Sequence, residues 1–173
     1  MPNWTTIYEQ HSAAVWKTAW RVLKVTHLAA DCVQETFLSA MTLAEKQTIR
    51  EWSGLLISLS TRRALDQLRR TCRARQRETF INQQEIVSTQ KTPETLFADG
   101  ELAERLRAAL ADLPAQQAEV FCLRTFSDMS YHDIAAQLNL EDTHVGVLLH
   151  RARNGLQRQL SDIRPLVPPG GNS

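Results

Sequence analysis

Residues 130–149 read SYHDIAAQLNLEDTHVGVLL and decide the fold. Ser130, with Asp133 three residues later, has the form of a capping box and predicts the start of a helix. Ala135 supplies the small residue that is needed where two helices cross, and Asn139 suits a tight turn because asparagine tolerates positive φ. The spacing predicts a helix-turn-helix motif.

Apolar residues at the right offsets would hold the two helices of this motif together: Ile134, Leu138, Leu140, Val145, and Leu148 or Leu149. Asp142 or Thr143 is expected to cap the second helix, which should run to about residue 160. From residue 143 to 160 the sequence contains arginines but no carboxylate, which is typical of a helix that faces phosphates. An ordinary helical hairpin within a bundle is the alternative interpretation.

Helical periodicity dominates the rest of the chain as well. It predicts helices at 5–24, 28–42, 51–77, 101–110 and 114–126, with Pro114 at the first helical position of the last. We therefore predict an all-α protein of two small helical domains, 1–77 and 101–164. A flexible acidic linker (78–100) should join them, and the tail (165–173) should be disordered.

The net charge of +1 conceals two opposite blocks. Residues 50–77 hold eight arginines against two carboxylates, a net charge of +6, and residues 78–104 carry −5. Seven of these eight arginines lie on one predicted helix: Arg62, Arg63, Arg69, Arg70, Arg73, Arg75 and Arg77. Because a helix-turn-helix lies in the same chain, a nucleic-acid track is favoured over a solvated basic face.

Other function classes are poorly supported. With 173 residues, the chain has no apolar run near the roughly 18 needed for a membrane span and no secretory signal, so a reduced cytoplasmic protein is expected. P-loop, nucleophile-elbow and zinc-protease motifs are absent from the sequence, and the three cysteines and five histidines lack metal-ligand spacing. We expect no enzyme, no metal and no cofactor.

A third pattern lies at residues 31–38. On a helix, Asp31, Gln34, Glu35 and Leu38 would share a surface opposite Val33 and Phe37. Taken alone, this is an amphipathic helix with no assigned partner.

In this order, the three patterns resemble the extracytoplasmic-function group of the sigma-70 family of bacterial RNA polymerase subunits. DCVQETFLSA resembles its region 2 helix, LLISLSTRRALDQLRR its region 2.3–2.4 helix, and ALADLPAQQAEVFCLRTFSDMSYHDIAAQL with HRARNGLQRQL its region 4. The resemblance covers about residues 6–77 and 104–160. It implies a factor that binds core polymerase, directs it to promoters and helps to melt DNA.

The resemblance also implies roles for individual residues. Core polymerase (β′ and β subunits) would be bound by Asp31, Gln34, Glu35 and Phe37. The −10 element would be met by Thr61, Arg62, Asp66, Arg69, Arg70 and Arg73. The −35 element would be read by Ser130, Tyr131, Thr143, His144, Val147, Arg151 and Arg153. An anti-sigma factor is the further partner that the resemblance implies, without direct insertion into a membrane.

One departure from the family pattern lies at Gly146, Val147 and Leu148, where relatives usually place Lys, Ser and Arg. Glycine lowers helix propensity by about 1 kcal/mol, and the change removes two expected phosphate or base contacts. We therefore expect unusual −35 readout or a surface used for another protein. A stand-alone helix-turn-helix regulator and a protein-interaction adaptor stay open as alternatives.

Overall fold

A computed structural model describes residues 1–82 and 99–161. Within these ranges the chain forms seven helices and no strand. Their bounds are α1 Trp4–Leu23, α2 Thr26–Lys46, α3 Trp52–Asn82, α4 Asp99–Asp112, α5 Ala115–Thr125, α6 Tyr131–Leu138 and α7 Asp142–Leu160. Most of the predicted linker, and the predicted tail, lie outside the described residues.

The helix-turn-helix forms where the sequence predicts it. The Ser130 hydroxyl accepts a hydrogen bond from the Asp133 amide at 3.0 Å and so caps α6. Asn139 ends α6 with a φ of 55°, in the left-handed region. Two expected caps are wrong by one residue: Glu141 precedes α7 without a side-chain cap, and Pro114 is the N-cap of α5 rather than its first residue.

The longest helix, α3, combines an apolar stripe with the arginine block. It runs five residues beyond the predicted end, to Asn82, so the start of the expected linker is helical. The Gly54 amide at its start donates to the Glu51 carboxylate at 2.6 Å. In the described ranges, neither α3 nor any other helix is both long and apolar enough to cross a membrane.

Helices α1, α2 and α3 form the N-terminal unit. Its own core consists of Ile7, Val15, Val33, Phe37, Ala40 and Leu56, with Trp4, Trp16, Trp52 and Leu59 packed against it. These residues recur at helical spacing on the three elements, which is why the faces pair.

Helices α4 to α7 form the C-terminal unit. The core of its helix-turn-helix consists of Val120, Leu123, Ile134, Ala135, Val145, Leu148 and Leu149. Ile57 of α3 packs against this cluster, so the N-terminal unit reaches the motif directly.

A further core joins the two units. Ala64, Leu65 and Leu68 of α3 cluster with apolar residues of the C-terminal unit: Ala109, Leu110, Leu113, Ala118, Cys122, Ala152 and Leu156. The sequence predicts two domains on a tether, and the structure packs them against each other along α3.

Candidate nucleic-acid interface

The exposed surface of α2 is the one that the sequence predicts. Asp31, Gln34 and Glu35 are exposed, as is Leu38. Phe37, which the family pattern places among the docking residues, is instead buried and packs on Tyr8 with ring centroids 4.9 Å apart. Phe37 can therefore position this surface, while its polar neighbours and Leu38 present it.

The α3 face comprises Thr61, Arg62, Asp66, Arg69, Arg70 and Arg73, the residues matched to −10 recognition. Arg70 and Arg73 are exposed, whereas Thr61 is fully buried. Arg69 pairs with Asp66 at 3.2 Å, and its side chain is only 17% exposed. On the α3 face, Thr61 and Arg69 are thus covered, whereas Arg62, Arg70 and Arg73 are exposed.

Glu119 of α5 is the carboxylate that pairs with Arg62 of the α3 face. The Arg62 guanidinium donates to Glu119 Oε1 from Nη2 at 3.1 Å and from Nε at 3.3 Å. Burial raises the pKa of Glu119, against the lowering effect of the Arg62 charge and hydrogen bond. The loss of hydration on burial outweighs the attraction of Arg62. Burial at this site therefore destabilises the ionised form of the Glu119 carboxylate.

Three further contacts join the two units. Arg75 of α3 pairs with Glu104 of α4 at 3.5 Å, and Arg21 of α1 donates to the Phe126 carbonyl. A Cβ at Gly54 would come within 2.6 Å of the Gln137 amide nitrogen, so the side chain of Gln137 on α6 lies close against the start of α3.

The α7 face is open. Thr143, His144, Val147, Arg151 and Arg153 are all exposed. The Ser130 hydroxyl caps α6 by accepting a hydrogen bond from the Asp133 amide, so it has a structural role in the motif. Arg151 and Arg153 form no ion pair within the described residues. These guanidiniums are available for phosphates.

Tyr131 lies beside the unusual residues of α7. A Cβ at Gly146 would lie 3.6 Å from the edge of the Tyr131 ring, an ordinary contact, so packing does not require glycine here. The Arg124 guanidinium lies 5.6 Å from the centroid of the same ring. Leu148 is buried in the motif core, whereas Val147 is 44% exposed. The departure therefore leaves one exposed apolar residue on the α7 face.

Metal clusters and activated thiols are two kinds of reactive group that the described residues do not provide. No group of three or more histidine, cysteine or acidic side chains in 1–82 and 99–161 is placed to hold a metal ion. Burial raises the pKa of Cys32 and Cys72, and that of Cys122 to about 12. Thiols with raised pKa values are weak nucleophiles near neutral pH.

Comparison with known families accounts for this arrangement. A family model for sigma-70 region 2 matches residues 7–74, and one for sigma-70 region 4 matches residues 103–156. The first covers the N-terminal unit and the second the C-terminal unit. The chain belongs to the sigma-70 family.

Named relatives place this sigma factor in the extracytoplasmic-function group. It is 29% identical to the ECF RNA polymerase sigma factor SigE of Mycolicibacterium smegmatis, over 93% of this chain and 63% of that protein. It is 24% identical to SigW of Bacillus subtilis, over 91% of this chain and 88% of that one. This sigma factor therefore spans less than two thirds of SigE but most of SigW.

A solved structure shows a similar fold. The sigma factor RpoE of Bartonella quintana, crystallised with the anti-sigma factor NepR, superposes with a TM-score of 0.50 at 23% identity. The match covers 88% of this chain and 92% of that one. Family membership favours neither the stand-alone regulator nor the adaptor.

The sequence interpretation missed the residues that join the units, above all Glu119, Arg21 and Gln137. One signal was available. Glu119 lies between Ala118 and Cys122 on the apolar side of α5, and a carboxylate on an apolar stripe indicates a buried partner.

Proposed function

We propose that this sigma factor docks on core RNA polymerase through the exposed surface of α2. Asp31, Gln34 and Glu35 supply the polar contacts, Leu38 adds apolar area, and Phe37 sets the position of the helix from below. Supporting this, the four outward side chains are exposed together, and Glu35 keeps only a 3.9 Å pair with Arg63, which leaves its carboxylate free to exchange partners.

On DNA, α3 and α7 contact different promoter elements. Arg62, Arg69, Arg70 and Arg73 hold phosphates around the −10 element, while Thr61 and Asp66 face its bases as the strands open. Arg151 and Arg153 position α7 in the major groove at the −35 element. There Thr143 and His144 offer hydrogen-bonding groups, and Tyr131 and Val147 offer apolar contacts.

Val147 places an apolar side chain in the proposed −35 contact. A valine side chain has no donor or acceptor, so on a base edge in the major groove it can favour only the thymine methyl group. Gly146, the residue before it, brings no side chain of its own, and a Cβ there would lie 3.6 Å from the Tyr131 ring. The −35 element of this factor should accordingly contain a thymine opposite Val147.

We also propose that the protein acts in the cytoplasm, has no catalytic activity of its own, and is restrained by an anti-sigma factor. The last point follows the RpoE relative, which was crystallised with such a partner.

The single observation that carries the proposal is the match of both sigma-70 regions, in order, to the two units. The test is reconstitution of the purified chain with bacterial core polymerase, scored by complex formation and by transcription from promoters selected in vitro. Asp31→Arg should weaken core binding at least about tenfold, because it reverses a charge in the docking surface. Glu9→Arg, the same change on exposed α1, should have little effect. A wild-type chain that binds no bacterial core polymerase would contradict the proposal.

A further inference from the structure

A cavity of about 630 Å³ lies where the turn between α1 and α2 faces the C-terminal half of α3 and one side of α4. None of the residues assigned above to polymerase or promoter contact lines it. Its volume is within the range of about 300 to 1,000 Å³ that is usual for small-molecule sites. We propose that this cavity binds a small amphipathic anion, an aliphatic chain that ends in a carboxylate.

The interior of the cavity is apolar. Leu23 and Leu68 line it and are each 4% exposed, and Leu28 and Cys72 line it where they pack against the same core. Leucine side chains offer no hydrogen-bonding group, so a polar ligand would lose its hydration against them without compensation. An aliphatic chain has no such loss, and each methylene that it buries should tighten binding about fourfold.

The charged part of the lining is positive. Arg75 pairs with Glu104 at 3.5 Å and Arg105 with Glu101 at 3.8 Å, so two of the cations are balanced by carboxylates of the same lining. The other two, Lys24 and Arg107, form no ion pair within residues 1–82 and 99–161. The lining thus carries a net charge of +2, which attracts an anionic headgroup.

The apolar and charged parts of the lining meet at Cys72. Burial raises the pKa of the Cys72 thiol; the charge of Arg75 lowers this pKa, that of Asp112 raises it and that of Arg107 lowers it. Both arginines therefore lie near a side chain of the apolar interior. A ligand whose carboxylate pairs with Arg107 would have its chain beside Cys72, which makes this thiol a reporter of occupancy.

Lys24 brings its charge to the cavity from a turn that suits other residues better. It ends α1 in the left-handed region with a φ of 54°, where glycine and asparagine are favoured, and its amide donates to the Trp20 carbonyl at 2.9 Å. Lys24→Asn therefore removes the cation while it keeps the turn. This substitution separates the charge of the cavity from the fold around it.

The test is alkylation of the full chain by iodoacetamide in the presence of decanoate, with the rate at each cysteine read by mass spectrometry. At ten times the Kd, decanoate should slow labelling of Cys72 about tenfold, because only the unoccupied fraction reacts. Decanol, which has the chain without the charge, should bind at least about fivefold more weakly, and acetate should give no protection. Cys32, buried between α2 and α3, reports unfolding. An unchanged Cys72 rate while Cys32 stays unlabelled would overturn the proposal.

Charge variants distinguish the cavity from adventitious binding of an amphiphile. Lys24→Asn and Arg107→Gln should each raise the Kd for decanoate about fivefold, since each removes a cation of the lining. Lys17→Gln is the matched control, because Lys17 is an exposed cation on α1 that does not line the cavity. Decanol should bind all three variants and the wild type alike. Equal Kd values for decanoate in the three variants would overturn the proposal.

Two other occupants are outcomes of the same assay. Vesicles of phosphatidylglycerol that protect Cys72 where decanoate does not would assign the cavity to a membrane surface and overturn the proposal. Phe97→Ser that speeds labelling of Cys72 without any probe would assign the cavity to residues of the chain between 83 and 98, and would overturn it as well. Since no readout uses polymerase or DNA, failure of the proposal is distinct from failure of the proposed function.

Discussion

The α3 face and the α7 face both carry arginines, but the two faces differ in how exposed and how paired these arginines are. On α7, Arg151 and Arg153 are exposed and form no ion pair within the described residues. On α3, Arg62 and Arg69 are engaged with Glu119 and Asp66, and Thr61 is buried. In this sigma factor, the arginines proposed to position α7 at the −35 element are thus free, while some of the residues proposed to meet the −10 element are buried or paired.

The difference shows that arginines on a helix do not by themselves make that helix accessible to nucleic acid. Both faces are rich in arginine in the sequence, yet availability depends on what the apolar side of each helix packs against. The apolar side of α7 packs within its own unit, against α4, α5 and α6, while α3 lies between the two units and has neighbours on more than one side. Access to α3 therefore depends on the arrangement of the units.

The largest effect should come from breaking the shared core. Leu110→Ala removes a buried side chain of α4 and should lower the free energy of unfolding by about 2 to 5 kcal/mol. All four tryptophans lie in the N-terminal unit, so tryptophan fluorescence follows that unit during urea denaturation. Because the core is shared, the fluorescence midpoint should fall although the substitution lies in the other unit.

Leu123→Ala is the matched control for this prediction. It removes an equally buried leucine from the core of the helix-turn-helix, against which Ile57 of the N-terminal unit packs. Its effect should be larger in far-ultraviolet circular dichroism than in fluorescence. A fluorescence midpoint unaffected by Leu110→Ala would mean that the units fold independently.

A second prediction compares one arginine from each face. With the free protein and a nonspecific DNA duplex, Arg151→Ala should lower the slope of log K against log salt by about one unit, whereas Arg69→Ala should change it little. In the polymerase complex, each substitution should lower the slope by about one unit. Fluorescence anisotropy titrations at several salt concentrations measure both. An equal effect of the two substitutions in the free protein would remove the distinction between the faces.

The smallest predicted effect concerns base reading on α7. Replacing the thymine opposite Val147 by deoxyuridine removes one methyl group and should weaken promoter binding by about 0.8 kcal/mol, or about fourfold. Competition binding of polymerase complexes to selected promoters measures it. Val147→Ser should abolish the preference for thymine, and a wild-type complex indifferent to the methyl group would refute the contact.

Local structure could be predicted from the sequence because it depends on local signals. The cap at Ser130 and the left-handed turn at Asn139 follow from residue chemistry, and both are confirmed. The helix order and all-α class follow from periodicity, and they too are confirmed. The cap positions of α5 and α7 were wrong by one residue, as helix ends are weakly specified.

The site was only partly predictable. Exposure of the α2 surface followed from amphipathicity, and the basic α3 and α7 faces followed from the positions of arginines. The burial of Thr61 and the pairing of Arg62 with Glu119 could not be predicted, because they depend on tertiary packing; Arg62 and Glu119 lie 57 positions apart in the sequence. Total charge was equally uninformative, since +1 describes neither the arginine block nor its partners.

The most direct test is a distance measurement between the units in the free and polymerase-bound protein. Spin labels at Lys17 of α1 and Gln157 of α7, both exposed, can be placed in a chain whose native cysteines are replaced. Double electron–electron resonance should give one short distance in the free protein and a longer one after core polymerase binds. The same distance in both states, in a complex that has formed, would contradict the account, in which access to α3 depends on the arrangement of the two units.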